Sequence, residues 1–177
     1  MHAHMELLSE KTAKINKEMA ANATNGVIID DIMVNELTII VDEFGGESSF
    51  GQTVRTNEEM STAIRAGFPH SAVERFLESS GLSMQEIASS LDLSIRSLQR
   101  RKHEGRLARY ESDRLYRLAR LVVLAEHYLG DHERAIQWLR RPNHVLGGVA
   151  PLKIIDTELG GRQVENVLGR IGYGGVS

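Results

Sequence analysis

One stretch of this chain concentrates side chains that could read nucleic acid: Ser94-Ile95-Arg96-Ser97-Leu98-Gln99-Arg100-Arg101-Lys102. Arg can pair with a guanine edge and Gln with an adenine edge, while flanking cations hold phosphates, so one helix carrying this set suits the DNA major groove. Ser94, Arg96, Ser97, Gln99, Arg100, Arg101 and Lys102 are therefore the candidate DNA contacts, with Ile95 and Leu98 facing inward. A solvated charge run on a bundle helix is the competing reading of the three consecutive cations at 100–102.

Catalytic chemistry finds no comparable set. His127 and His132 are five residues apart and lack the His-Glu-x-x-His arrangement of a zinc protease, and His2 and His4 sit near a free terminus. Asp30-Asp31 and Glu58-Glu59 have no companion base. Gly147-Gly148 precedes Pro151 without the Gly-Lys-Ser/Thr of a phosphate loop. With no cysteine there is no thiolate nucleophile, disulfide framework or Cys-based zinc site. These residues imply no enzyme, no cofactor and no metal site.

The basic segment needs elements to hold it. Ser83 and Glu86 form a capping-box pair for a helix over 84–91, and Ser94 caps a second helix from Ile95 to about His103. Two short capped helices so close together are a helix-turn-helix signature. Upstream, Asn57 can cap a helix reaching Ala66, and Pro69 introduces another over 70–80 that places Val73, Phe76 and Leu77 on one face and stops at Gly81. Downstream, Leu115, Leu118, Ala119, Val122, Val123 and Ala125 repeat at helical spacing and predict a long core helix over 108–129, ended by Gly130-Asp131. Further helical segments follow over 132–139, 152–159 and 162–171, with Gly160-Gly161 read as a left-handed helix end. Arg114, Arg117 and Arg120 fall on one helix face, where pairing with Glu111 and Asp113 is favoured over phosphate contact. Trp138 reads first as a staple between the last helices and second as a partner anchor.

The first third of the chain differs in character. Val27, Ile28, Ile29, Ile32, Val34, Leu37, Ile39, Ile40 and Val41 are rich in β-branched residues around Asn35-Glu36, which predicts a small β-hairpin over 26–41, and the glycines within 43–56 read as a linker. The formal net charge of -3 hides a polarity. Residues 1–60 hold four Lys/Arg against eleven Asp/Glu, whereas residues 94–120 hold nine against three. A basic patch in an acidic protein implies a polyanionic partner at one face. No apolar run is long enough to span a bilayer and residues 1–18 are too polar for a signal peptide, so no membrane partner and a cytoplasmic location are expected.

Taken in order, Trp138-Leu139, Arg141-Pro142-Asn143, Leu146-Gly147-Gly148, Pro151-Leu152, Asp156-Thr157-Glu158-Leu159-Gly160 and Arg170-Ile171-Gly172-Tyr173-Gly174 form a series of turn-forming words between short apolar runs. This series resembles the C-terminal toxin-binding domain of Xre/MbcA/ParS-type antitoxins, the partners of RES-domain toxins. The segment Ser94 to Arg101 resembles their recognition helix, and Ser112-Asp113-Arg114-Leu115-Tyr116-Arg117-Leu118-Ala119-Arg120 resembles the stretch that follows it. The resemblance runs from about Phe68 to Gly174. It implies an antitoxin of a type II toxin-antitoxin system that occludes the active site of an NAD-degrading RES toxin and binds operator DNA to autoregulate, as a homodimer. It also implies toxin contacts at Arg170, Gly172, Tyr173 and Gly174.

The expected fold is mainly α. A helix-turn-helix DNA-binding region over 57–107 is packed against or followed by a small helical toxin-binding domain over 108–177, and an N-terminal extension over 1–56 has room for the hairpin. The resemblance gives that extension no role; shielding of the basic helix, dimer contacts and disorder all stand open. The alternative function is a stand-alone helix-turn-helix transcriptional regulator whose C-terminal domain only dimerises.

Overall fold

The computed structural model describes residues 28–172, and all regular structure among them is helical. The order is α1 (Ile28–Glu43), α2 (Gly46–Phe50), α3 (Asn57–Ala66), α4 (His70–Ser79), α5 (Met84–Ser90), α6 (Ile95–Glu104), α7 (Arg109–Leu129), α8 (His132–Arg140), single 3-10 turns at His144–Leu146 and Pro151–Lys153, and α9 (Glu158–Gly172).

Local chemistry sets most boundaries. Thr56 with Glu59 and Ser83 with Glu86 close full capping boxes on α3 and α5. The Ser94 hydroxyl accepts from the Ser97 amide to start α6, Asp131 accepts from Arg134 to start α8, and Gly130 ends α7 in the left-handed conformation.

Two sequence expectations in the first third give way. In place of a hairpin over 26–41, Ile28–Glu43 is a helix. Leu37, Ile40, Val41 and Phe44 follow the helical spacing i, i+3, i+4, i+7, and all four are buried. Packing of that stripe outweighs the β-propensity of the individual residues, which is a weak preference when one face is buried. The stretch 43–56 is not a linker either: it contains α2, and both Phe44 and Val54 are buried. The chain's four phenylalanines meet here. Phe44 lies 5.2 Å from Phe68, 5.7 Å from Phe76 and 6.2 Å from Phe50 between ring centroids, and Phe50 lies 5.2 Å from Phe68. These tilted and edge-on pairs weld α1 and α2 onto α4 and the α3–α4 junction.

Helix α7 is the centre of the structure. Leu115, Leu118, Ala119, Leu121, Val122, Val123 and Ala125 are buried, a span too wide for one helical stripe, and α7 packs against α1, α3 and α5 as well as α8 and α9. Helix α9 runs beside α7 in the same direction: Glu165 pairs with Arg120, and Gly172 sits against the Tyr128 ring. Arg120 also holds Glu36 of α1 at 2.6 Å, so one guanidinium joins three helices. Gly160 and Gly161 lie in the first turn of α9 and do not end a helix. At Gly160 the absence of a Cβ lets the backbone sit directly on the Ile154 carbonyl, which explains the residue without any left-handed conformation.

Glu43 closes α1 in an unusual environment. It is buried near Ser79 of α4, with Glu126 of α7, His132 of α8 and its neighbour Asp42 also acting on it, and its Oε2 has no hydrogen-bond partner. Loss of hydration pushes its carboxyl up to about 7; Ser79 offsets part of this and Glu126 adds to it. The unfolded chain releases the same proton near 4.5, so this group favours the folded state most below 4.5 and loses that contribution as pH rises through about 7. The change amounts to at most roughly 3 kcal/mol. Glu43→Gln carries no proton to lose, so its stability relative to the parent chain should rise between about pH 5 and pH 8 in urea denaturation. A difference between the two proteins that does not vary with pH would contradict this picture of Glu43.

Candidate nucleic-acid interface and partner-binding region

Helices α5 and α6 are joined by a tight turn at 91–94, where Asp92 adopts φ 57, one of the few left-handed conformations an aspartate tolerates. The turn is bolted from behind. Arg114 of α7 donates to the Leu91 carbonyl at 2.8 Å and pairs with Asp92 at 3.2 Å. Ile87, Leu91 and Leu98 are fully buried beneath it.

The exit from α6 is held as firmly. The Leu107 amide donates to the Phe68 carbonyl at 2.8 Å, the His70 amide to the Gly105 carbonyl at 3.0 Å, and Arg106 to the Gly67 carbonyl at 2.7 Å. Gly67, at φ 84, faces the Leu107 carbonyl so closely that a Cβ could not fit. The Phe68 amide is taken up by the buried Ser112 hydroxyl at 2.7 Å. A two-residue antiparallel clasp, Pro69 against Arg106, thus pins the end of α6 to the α3–α4 junction.

Beneath α6 lies Glu111, with no exposed surface. Its carboxylate accepts from Arg101 Nε at 2.8 and 3.0 Å, from Arg101 Nη2 at 2.8 Å, from the Ala108 amide at 2.7 Å and from the Tyr110 hydroxyl at 3.1 Å. Burial by itself would raise its carboxyl, but the bonds from Arg101, Ala108 and Tyr110 together hold it below the usual range. Arg101 also pairs with Glu104, and its side chain keeps only 16% exposure.

The seven residues singled out from sequence consequently separate. Arg96, Gln99 and Arg100 lie on the exposed side of α6 at positions i, i+3 and i+4, followed by His103 one turn on. Arg100 carries only a loose exposed pair with Glu104 at 3.4 Å. Ser94 is exposed and bonded to Ser97, so both serve the helix cap. Lys102 is exposed but paired with Glu74 of α4 at 2.7 Å, and Arg101 is turned inward. Of the three α7 arginines that sequence singled out, Arg117 pairs with Asp113 as the spacing implies, whereas Arg114 reaches Asp92 and Arg120 reaches Glu36 and Glu165. Sequence reasoning missed Glu111 as the acceptor for Arg101; its position three residues after Ala108, ahead of an apolar run, was the available signal.

At the other end, Arg140 of α8 makes a bidentate pair with Glu86 at 2.7 and 2.9 Å and also reaches the Gly81 carbonyl. This bond, helped by Ser83, holds the Glu86 carboxyl down at about 2. The first helix of the helix-turn-helix is thereby tied to the C-terminal region. Trp138 packs against the core, half-buried, as a staple would. Arg170 is exposed on the last turn of α9, and Gly172 ends that helix where the Tyr128 ring leaves no room for a Cβ. Tyr173 and Gly174 lie outside the described residues. No grouping of His, Asp and Glu among the described residues could hold a metal, and no helix among them is long and apolar enough to cross a membrane.

Known proteins match both halves. Residues 59–120 match the antitoxin Xre-like helix-turn-helix domain, and residues 124–174 match the antitoxin Xre/MbcA/ParS C-terminal toxin-binding domain. An antitoxin Xre of Photorhabdus laumondii is 33% identical over 120 residues, covering 67% of this chain and 81% of that protein. An antitoxin Xre of Yersinia enterocolitica is 31% identical over 114 residues, covering 63% of this chain and 77% of its own length. The antitoxin Xre of Pseudomonas putida is 33% identical over 119 residues, covering 66% and 74%.

Arg101 and Arg96 provide a direct contrast. Arg101→Ala leaves the Glu111 carboxylate buried without its cation and should cost about 3 kcal/mol of stability, whereas Arg96→Ala should change it by less than about 0.5 kcal/mol. Chemical denaturation of the two variants measures both, and equal stabilities would refute the assigned roles.

Proposed function

The chain belongs to the Xre antitoxin family, and we propose that it neutralises a RES-domain, NAD-degrading toxin by occluding its active site and autoregulates by binding operator DNA. It is the antitoxin member of a toxin-antitoxin pair and carries a helix-turn-helix DNA-binding domain.

The observation that carries the DNA reading is the division of labour on α6. Arg96, Gln99 and Arg100 are exposed together, while the cation that would compete for the same groove, Arg101, fixes the helix to Glu111. Arg96 and Arg100 are suited to guanine edges or phosphates and Gln99 to an adenine edge, with the Ser94 cap close to the backbone. A homodimer would present two such helices to a twofold operator, with half-sites about 34 Å apart.

The toxin reading is supported by the match over 124–174 and by the exposure of Arg170 on the last turn of α9. Gly172, which ends that helix, is seated on Tyr128. A large amphipathic ring flanked by glycines, that of Tyr173, suits a narrow cleft, and Arg170 can pair with acidic groups at its rim. Occlusion requires no chemistry from this chain.

Two experiments test these roles. Binding to a fragment of the chain's own promoter, followed across a salt series, should weaken by about 1–3 kcal/mol for Arg96→Ala if it reads a base, or lose about one unit of salt slope if it holds a phosphate. Affinities unmoved by Arg96→Ala and Arg100→Ala would remove α6 from the interface. Deletion of residues 173–177, which leaves α9 whole, should preserve thermal stability and promoter binding while releasing the growth arrest caused by the product of the adjacent gene. Full neutralisation by the truncated chain would show that the tail is not the plug.

A further inference from the structure

We propose that the loop over residues 143–149 is a second docking surface for the toxin, an apolar knob that seats in a depression on the toxin separate from the cleft the tail enters. The inference rests on the reading that residues 124–174 bind a toxin.

Four of the five large apolar side chains exposed among the described residues fall within 124–174: Val145 at 64%, Val149 at 39%, Leu159 at 70% and Ile171 at 42%. Scattered apolar residues on a surface need no explanation, but two of these four, Val145 and Val149, stand on one short loop. Val145 and Val149 are held out by a closed loop. The Asn143 amide donates to the Val149 carbonyl at 3.1 Å, the Gly148 amide to the Asn143 carbonyl at 2.9 Å, and the Val145 amide to the Asn143 side chain at 2.9 Å. Gly147 and Gly148 take φ 70 and φ 80 with open space where a Cβ would stand, so backbone shape, not packing, requires them there. A loop so internally bonded loses little freedom on docking, which favours affinity.

Charge identifies the occupant. Arg134 and Gln137 on the exposed side of α8, and Arg141 just past its end, lead into the loop, and the Arg141 guanidinium donates to Gln137 Oε1 at 3.3 Å. A second copy of this chain docked through the same patch about a twofold axis would bring two sets of these cations, Arg134 and Arg141 of each copy, into one interface. The fitting partner has an apolar depression bordered by carboxylates, and the toxin is the partner that the surrounding domain is built to bind.

The test uses the full chain and the purified product of the adjacent gene, with affinity read by calorimetry and the mass of the free chain by light scattering. Val145→Ser/Val149→Ser should weaken the complex by tenfold or more, with unchanged thermal stability and unchanged promoter binding, and the loss should multiply with that from deleting residues 173–177. An affinity within twofold of the parent overturns the proposal. So does a drop in the mass of the free chain with toxin affinity unchanged, which would assign the loop to a second copy. If the unmodified chain forms no complex with the neighbour, the toxin reading itself falls, and the inference falls with it.

Discussion

Among the described residues, five helices, α1, α3, α5, α8 and α9, pack on α7. Its middle turns are buried on more than one side, because α1, α3 and α5 need one wall and α8 and α9 need another, and the same residues supply both. Leu121, Val122 and Val123 are consecutive and all buried, an arrangement that only a helix enclosed by neighbours can sustain. The two matched domains end and begin at residues 120 and 124, inside this helix, where the backbone has no break. They are distinct as units of descent but share one core. A cavity opened in α7 therefore loosens the helix-turn-helix and the helices of the C-terminal domain together.

The same helix accounts for the charge pattern. Much of the positive charge that marks residues 94–120 is internal hardware: Arg101 neutralises a buried carboxylate, Arg114 holds the turn of the helix-turn-helix, and Arg120 bridges Glu36 and Glu165. Buried or half-buried pairs of this kind orient their partners more than they stabilise them, since desolvation cancels much of the attraction. What Arg101 and Arg114 provide here is a fixed α6 that keeps Arg96, Gln99 and Arg100 exposed together.

Local signals in the sequence proved readable because their partners are local. The Ser83–Glu86 box, the Ser94 cap, the Gly130 stop and the long apolar helix all appear where spacing put them. Long-range partners were not readable. Arg120 and Glu36 are 84 residues apart, the Phe68 amide and Ser112 are 44 apart, and neither side chain carries a mark of the other. The hairpin reading of 26–41 failed because β-branched residues at helical spacing are ambiguous until the surface they pack on is known. The linker reading of 43–56 failed because glycine-rich turns hide the two aromatic anchors, Phe44 and Phe50, that belong to the core. At the candidate site, residue types pointed to α6, yet only the Glu111 contact separates Arg101 from its neighbours. The apolar loop was visible in sequence as turn words, but its exposure was not.

In the proposed function one scaffold serves two partners through different side chains: Arg96, Gln99 and Arg100 on α6, and the loop and helix ends of the C-terminal region. Its most direct test is the mass of the particle formed when the chain, the product of its neighbouring gene and a duplex of its own promoter are mixed and separated by size with light scattering. The account predicts one species containing all three. Mutual displacement, in which toxin and duplex are each found with the chain but never together, would contradict it.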